Sequence, residues 1–328
     1  MSQVSRKKRR PKKQLIQAPA SPGPIVIADR PSTFHSKPWW VSNWWNLEPT
    51  GRSDDVTCDI GTVGDLAVAA ATIRGNTHRH DGNRCEDAFF ISTGTTISGR
   101  SFLVAVIGDG LGSAKHSSFG SRRATQLFGN HLTASISKTD TPNEETVNTA
   151  VDAAFEMTKV KASKWKIGDL SAPPLSPAKV SSADIETTLT FAVVPADPNA
   201  NKKRTVLIGS VGDSPIFKLS ENKWECLTDS DNGDIVDSAT RGVHSADRLT
   251  TSMVSIADTD VLFLTTDGIG NFISNGANML AVGTYLADRW RNPVPLHEFI
   301  NDMTFDLSSA DDDRTAIVCW PYRDQYLS

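Results

Sequence analysis

Four aspartates of this chain lie at the ends of apolar segments that are rich in β-forming residues. They are Asp87, Asp109, Asp267 and Asp313. Carboxylates that converge without a counter-charge raise each other's pKa, so such a set indicates bound cations or a basic partner. Hard divalent cations such as Mg²⁺ and Mn²⁺ take oxygen ligands of this kind and keep several waters. The pattern therefore predicts either a cation site assembled from distant parts of the chain or a contact with a basic partner.

Two of the acidic signals have a simpler structural interpretation when each is taken alone. Asp109 is followed by Gly110, and Asp213 stands in a Gly-Asp-Ser sequence, and both patterns are typical of tight hairpin turns. For Asp213 the ligand and turn interpretations stand on equal terms. For Asp109 the companion aspartates favour the cation site.

The segments that must position these acids are predicted to be strands and paired helices. The predicted strands are residues 66–73, 88–91, 102–107, 187–194, 205–211, 216–219, 224–228, 261–266 and 314–320. The predicted helices are residues 117–132, a second segment opened by a capping box from Thr141 to Glu144, and residues 276–290 and 295–307. Tight turns between the strands after residue 187 favour antiparallel hairpins. The order indicates an α+β fold and argues against a parallel βαβ sheet.

Three segments divide the chain. Residues 1–37 are rich in Lys, Arg, Pro and Ser and are expected to form a disordered basic arm. Residues 38–64 form a linker or clasp that holds Trp39, Trp40, Trp44 and Trp45. Residues 65–328 make up the folded domain, in which the polar section from residue 229 to 252 is expected to be a mobile flap.

The charge distribution separates the arm from the rest of the protein. The chain has 34 basic and 38 acidic residues, and seven of the basic residues precede residue 14. An acidic body suits a cation site and is a poor general nucleic-acid binder, whereas the arm could dock onto an acidic partner. The cysteines show no zinc-ligand or disulfide spacing, and no apolar run has transmembrane length, which favours a cytoplasmic protein without a membrane partner.

Six short motifs in a fixed order carry a family resemblance. They are Glu86-Asp87, Gly108-Asp109-Gly110, Glu186-Thr187-Thr188, Val211-Gly212-Asp213-Ser214, Thr266-Asp267-Gly268 and Asp313-Arg314-Thr315. The series resembles that of metal-dependent serine/threonine phosphatases of the protein phosphatase 2C family. The segments from Gly75 to Asp87 and from Asp109 to Lys115 are closest to a bacterial branch. Each motif alone is weak, and the order gives the resemblance its weight.

The resemblance implies a four-layer α/β-β/α sandwich, in which two antiparallel sheets are flanked by helix pairs. It also implies two Mn²⁺ or Mg²⁺ ions and a weaker third at Asp213, if that residue is a ligand and not only part of a turn. Asp109 would bridge the two ions, with the Gly110 carbonyl on one and Asp267 and Asp313 on the other. Glu86 and Asp87 would ligate directly or hold metal-bound waters. A water between the ions would attack phosphorus, so no side-chain nucleophile is needed.

Three positions depart from the family pattern. The place of the phosphate-binding arginine is closest to His78, with Arg79 and Arg84 nearby, and an arginine fork is the better phosphate ligand. Leu111 stands where some relatives have a candidate general-acid histidine. The run Asp311-Asp312-Asp313 leaves the register of the last ligand open by one residue. None of these departures removes a principal ligand.

The predicted activity is hydrolysis of phosphoserine or phosphothreonine in a protein substrate, opposing a cognate kinase. The catalytic residues expected from the resemblance are Asp109, Asp267, Asp313, His78 and Arg79. One alternative is a phosphatase-like regulatory or binding module with little turnover. The other is a two-metal phosphodiesterase, which the basic arm suggests and the motif order disfavours.

Overall fold

The computed structural model describes residues 55–140, 144–162, 181–228, 240–276 and 278–321. The strands are β1 Val56–Val63, β2 Leu66–Ile73, β3 Ala88–Thr95, β4 Ser101–Gly108, β5 Leu189–Pro195, β6 Lys203–Val211, β7 Ile216–Ser220, β8 Lys223–Cys226, β9 Thr250–Ala257, β10 Val261–Thr265 and β11 Arg314–Pro321. The helices are α1 Asn76–Asp81, α2 Ser117–Ile136, α3 Glu144–Ala162, α4 Asp267–Gly270, α5 Ala281–Arg289 and α6 Leu296–Met303. The basic arm, the tryptophan cluster and residues 141–143 of the capping box lie outside the described residues.

The strands form two antiparallel sheets that pack face to face. The first sheet has the order β1-β2-β11-β10-β7-β8, and the second has the order β3-β4-β5-β6-β9. One core lies between the sheets, a second joins α2 and α3 to the second sheet, and a third joins α5 and α6 to the first. The predicted α+β four-layer sandwich is confirmed.

Side-chain patterns explain why each layer forms. Helix α2 buries Ala124, Phe128, Leu132 and Ile136, which share one face at intervals of four residues. Strand β4 is buried on both sides, because alternate residues face the helices and the other sheet. A strand covered on both faces carries an unbroken apolar run, which is why its sequence was readable as a strand. Within the described residues, no helix has the length and apolar composition needed to cross a bilayer.

The folded domain begins earlier than the predicted boundary at residue 65. Strand β1 pairs with β2 over its whole length, from Val56 opposite Ile73 to Val63 opposite Leu66. Residues 56–63 are therefore part of the first sheet and not of a linker. The six central residues of β1 are exposed at the sheet edge, so the strand lacks the apolar pattern that identifies buried strands.

The predicted flap is an anchored loop and a strand over its described part. Residues 229–239 lie outside the described residues. Val243, Ala246 and Leu249 are buried against the α2–α3 core, and Lys159 Nζ of α3 donates to the Ala246 carbonyl at 2.7 Å. Strand β9 follows and pairs with β6 at the sheet edge. This strand was not predicted from the sequence, because its Thr and Ser residues interrupt the apolar pattern of a strand.

The turn at Asp213 does not close a hairpin. Strand β6 ends at Val211 in the second sheet, and β7 begins at Ile216 in the first, so the intervening residues carry the chain between the two sheets. Gly212 has φ +97°, where a side chain would be strained, and an added Cβ would lie 2.5 Å from Thr188 Cγ2. This corrects both the hairpin interpretation of Asp213 and the predicted hairpin between the two strands.

Candidate metal centre

The acids converge because two pairs of antiparallel strands end at one side of the sandwich. Asp87 precedes β3 and Asp109 follows β4, and these strands pair with Ala88 opposite Gly108. Asp267 follows β10, and the run of three aspartates precedes β11, its partner in the first sheet. Each sheet therefore contributes carboxylates to the same end of the molecule.

Asp87 is a buried carboxylate that faces the first sheet. Thr266 Oγ1 donates to Asp87 Oδ2 at 2.7 Å, and the hydroxyl of Thr315 also donates to this carboxylate. Burial raises its pKa well above the ordinary value, and the charges of Asp313 and Asp312 raise it further. The hydroxyls orient the group without supplying the positive charge that it needs.

Asp109 is held at its backbone, which leaves its side chain directed at the other acids. Its N–H donates to Thr188 Oγ1 at 2.9 Å, and its carbonyl accepts from Thr188 N and Thr187 Oγ1, both at 2.8 Å. The pKa of Asp109 is raised well above its usual range. Burial is the largest cause, and the charges of neighbouring carboxylates add to it. These neighbours are Asp87, Asp267, Asp312 and Asp213.

Asp267 opens helix α4 beside Asp109. The Asp109 carboxyl group acts to lower the pKa of Asp267, against a larger effect of burial. The pKa of Asp267 is raised first by burial and then by the charges of Asp312 and Asp213. Partial burial likewise raises the pKa of Asp312, with Asp313 adding to the effect. Asp267, Asp109 and Asp312 thus form one repelling group.

Asp313 has its carboxylate oxygens occupied by donors behind the cluster. Its Oδ1 accepts from Gly75 N at 2.6 Å, and its Oδ2 accepts from Glu86 N at 2.5 Å and lies 2.9 Å from His78 Nδ1. Burial acts to raise its pKa, but the hydrogen bond and charge of His78 and the two backbone donors outweigh burial and lower it. The charge of Asp312 acts on Asp109 and Asp267, whereas the charge of Asp313 acts most strongly on Asp87. Both aspartates therefore border the cluster.

Glu86 and Gly110 lie against each other next to the cluster. The Glu86 carbonyl accepts from Gly110 N at 3.1 Å, and the hydroxyl of Ser117 donates to the Glu86 carboxylate. Burial raises the pKa of Glu86. An added Cβ at Gly110 would lie 2.7 Å from the Glu86 carbonyl oxygen and 2.8 Å from Ser117 Cβ. The close approach of the two strand ends therefore requires glycine here.

Two of the three phosphate-binding candidates point to carboxylates behind the cluster. The hydrogen bond to Asp313 raises the pKa of His78 to about 8. Arg79 Nε lies 3.8 Å from Asp55 Oδ1, and burial lowers the pKa of Arg79. Arg84 is exposed, two residues before Glu86. His78 therefore has a partner in Asp313, whereas Arg79 lies near Asp55 and its Nε and Nη2 make no hydrogen bond within the described residues. Of the three candidates, Arg84 lies at the surface.

Asp213 lies at the margin of the cluster. Thr240 Oγ1 donates to Asp213 Oδ2 at 2.9 Å, and the charge of Asp213 contributes to the raised pKa values of Asp109 and Asp267. Asp213 itself is exposed, unlike Asp87. The structure thus brings this fifth aspartate within electrostatic reach of the buried group.

Threonines that support the acids were not predicted from the sequence. Thr188 and Thr266 contact Asp109 and Asp87 directly, and the Thr315 hydroxyl also contacts Thr72 Oγ1 at 2.7 Å. Their signal was a threonine next to an acidic motif at the end of an apolar strand. Arg314 was also missed: its guanidinium donates to the carbonyls of Met303, Phe305 and Ala310 and anchors the loop before Asp312.

The donor set fits hard divalent cations. It consists of carboxylate oxygens from both sheets whose pKa values are raised by burial and mutual repulsion. Divalent cations bound by oxygen ligands would relieve this repulsion. The residues that would hold them are Asp87, Asp109, Asp267 and Asp312, with Glu86, the Gly110 carbonyl and Asp213 around them.

Comparison with known families gives the assignment. The sequence profile described as protein phosphatase 2C matches residues 74–304. The chain belongs to the protein phosphatase 2C family. The matched region includes Glu86 to Asp267 and ends before Asp312 and Asp313. The family resemblance seen in the six motifs is confirmed.

Solved structures of this family share the fold at low sequence identity. A bacterial serine phosphatase is 14% identical with a TM-score of 0.50, covering 79% of this chain and 98% of its own. The catalytic domain of the serine/threonine phosphatase PstP, solved with two manganese ions, is 17% identical with a TM-score of 0.49, covering 79% and 99%. RsbX with magnesium is 13% identical with a TM-score of 0.48, covering 80% and 98%. Comparison with curated protein sequences gives no match.

Proposed function

We propose that this protein is a Mn²⁺- or Mg²⁺-dependent phosphatase that hydrolyses phosphoserine and phosphothreonine in protein substrates. The observation that carries the proposal is the convergence of Asp87, Asp109, Asp267 and Asp312 with raised pKa values at one end of both sheets. Membership of the protein phosphatase 2C family supports the reaction class. The serine/threonine specificity follows the family resemblance of the motifs.

The proposed ligand set differs from the sequence-based one at a single position. The charges of several other acids act on Asp109, so it would be a ligand common to two ions, and Asp267 and Asp312 would be further ligands of one of them. Glu86, Asp87 and the Gly110 carbonyl would complete the set, and Asp213 would serve a weaker third ion. Bound divalent cations acidify water and offset charge on phosphoryl oxygens, which supplies the nucleophile for phosphomonoester hydrolysis.

The chain itself contributes orientation and preorganised charge. Thr266 and Thr315 fix the Asp87 carboxylate, while Thr187 and Thr188 fix the backbone at Asp109. Carboxylates that are held in place by hydroxyls lose little freedom when cations bind. The raised pKa values mean that cation binding displaces protons from the cluster, so the proposed activity depends on pH as well as on metal.

The substrate phosphate needs a basic side chain as its contact. Among His78, Arg79 and Arg84 we propose Arg84 as its contact, because the other two face Asp313 and Asp55. A guanidinium can bind two phosphate oxygens at once. Replacing Arg84 with Ala should raise KM for a phosphopeptide about tenfold and leave Mn²⁺ affinity unchanged.

Partners and location belong to the same proposal and rest on the sequence. A kinase that phosphorylates the same substrate is the expected functional counterpart. The basic arm, residues 1–37, is proposed to contact an acidic partner. A cytoplasmic location agrees with the widely spaced cysteines and with a phosphoprotein substrate.

The decisive experiment is phosphate release from phosphoserine and phosphothreonine peptides. We expect release that requires Mn²⁺ or Mg²⁺, is abolished by chelation, and falls at least about a hundredfold in Asp109→Asn. Intact Mn²⁺ binding without phosphate release would support the alternative of a regulatory module. Cleavage of a dinucleotide in preference to the peptides would support a phosphodiesterase.

A further inference from the structure

Glu186 is a buried acid that the proposed hydrolysis does not use. Its Oε1 accepts hydrogen bonds from His244 N at 2.8 Å, from Ser245 N at 3.2 Å and from Ser245 Oγ at 3.4 Å. Its backbone carbonyl accepts from Leu111 N at 3.1 Å. Glu186 thus connects the turn after Asp109 with the loop of residues 240–246.

The fit between Glu186 and this loop leaves little room for another arrangement. An added Cβ at Gly242 would lie 2.3 Å from Glu186 Oε1 and 2.7 Å from the Thr187 carbonyl oxygen. The next residue, Val243, donates its N–H to the same Thr187 carbonyl at 2.8 Å. A carboxylate that accepts several donors holds them more strongly than a neutral acceptor does. The position of the loop is therefore set by residues 186 and 187.

The first residue of the loop reaches the acid cluster. Thr240 Oγ1 donates to Asp213 Oδ2 at 2.9 Å. The Arg241 carbonyl lies against Gly212, since an added Cβ there would be 3.2 Å from it. Asp213 is exposed at the surface. Thr240 therefore supplies a hydrogen bond that orients the Asp213 carboxylate.

We propose that Glu186 is a positioning residue that holds Thr240 against Asp213 and so fixes Asp213 for the weaker third cation. The meaning of that cation rests on the proposed phosphatase function, but the positioning itself does not. A purely structural role for Glu186 would affect folding or all metal binding alike. Positioning predicts a selective effect on the weak site.

The test uses the full chain and Mn²⁺ as the probe. The variants are Glu186→Ala, Glu186→Gln, Thr240→Val and their double combination, with Glu225→Ala as a control at an exposed acid on β8 that pairs with Lys218. Isothermal titration should show a tight and a weak phase in the wild type. We expect roughly tenfold weaker binding in the weak phase alone for Glu186→Ala and Thr240→Val. Glu186→Gln keeps an acceptor oxygen and should restore most of the affinity.

Two further readouts separate positioning from general damage. Amide hydrogen exchange at His244 and Ser245 should accelerate about tenfold in Glu186→Ala and stay unchanged in Thr240→Val. The double variant should weaken the weak phase no more than either single variant, because both changes act on the same contact. Thr240 is exposed, so its variant stays informative if Glu186→Ala folds poorly.

The proposal is overturned by any of three results. These are a wild type without a weak phase, a weak phase unaffected by either single variant, and a loss in the tight phase equal to that in the weak phase. A protein that binds Mn²⁺ in two phases but releases no phosphate would refute the proposed function alone. The two proposals therefore fail separately.

Discussion

His78 Nδ1 lies 2.9 Å from Asp313 Oδ2, and this pair joins α1 to the start of β11 behind the acid cluster. The same carboxylate accepts the N–H groups of Gly75 and Glu86. We therefore propose that Asp313 holds the chain so that Asp312 reaches the cluster. Two of the residues expected to act in catalysis thus hold each other.

Replacing Asp312 with Asn should mainly lower metal affinity, whereas replacing Asp313 with Asn should mainly lower stability. Asp312→Asn removes a proposed ligand and one charge of the repelling group, so Mn²⁺ affinity should fall by more than about tenfold while the metal-free protein is at least as stable as the wild type. Asp313→Asn removes a charged acceptor from three donors and should lower the free energy of unfolding by about 2–3 kcal/mol. Isothermal titration and urea denaturation measure the two quantities. Full Mn²⁺ binding by Asp312→Asn would restore Asp313 as the ligand.

The His78–Asp313 pair predicts a pH dependence of the metal-free protein. The pKa of His78 is raised from 6.5 to about 8 in the folded protein. The contribution of His78 to the free energy of unfolding is therefore complete below pH 6.5 and is lost as pH rises through about 8. The contribution is about 1 kcal/mol after allowance for partial exposure. Chemical denaturation in EDTA between pH 6 and 9 checks this, with His78→Gln as the control that should lack the step.

The acid cluster predicts that the metal-free protein is destabilised by its own charges. The folded-state pKa values of Asp87, Asp109 and Asp267 are raised, so the contribution of these three acids to stability is highest at low pH and falls as pH rises from about 4. Asp109→Asn should therefore be more stable than the wild type without metal. Mn²⁺ at a hundred times its Kd should stabilise the wild type by about 2.7 kcal/mol and leave the variant unaffected.

Thermal denaturation with and without Mn²⁺ distinguishes these cases. A metal-free Asp109→Asn protein that melts below the wild type would show that the carboxylates do not repel each other.

A methyl group at Gly75 should displace the ligand loop. An added Cβ there would lie 2.3 Å from the Asp312 carbonyl carbon and 2.5 Å from the Asp311 carbonyl oxygen. Gly75→Ala should therefore weaken Mn²⁺ binding by at least about tenfold. Gly82→Ala is the matched control: its φ is +73° with open space around it, so it should cost about 1 kcal/mol of stability without changing metal affinity. Equal metal affinities in the two variants would contradict the docking of α1 onto this loop.

The sequence could predict the buried framework because its signals are local. Apolar runs identified β2, β4 and β10, and acids at their ends identified Asp109 and Asp267. The edge strands β1 and β9 were not predicted, because exposed strands do not show the apolar alternation that identifies a strand. The register within three consecutive aspartates could not be read, since it depends on backbone donors at Gly75 and Glu86 that only the folded chain brings together.

The two sheets each supply half of the acids: Asp87 and Asp109 come from the second, and Asp267 and Asp312 from the first. The spacing between the halves is set by the apolar layer between the sheets, which includes the fully buried side chains of Ile107 and Leu264. Cations bound by acids from both sheets would cross-link the sheets and resist any sliding of one sheet over the other. Metal loading and the tightness of the hydrophobic interior are therefore linked, although they lie in different parts of the molecule.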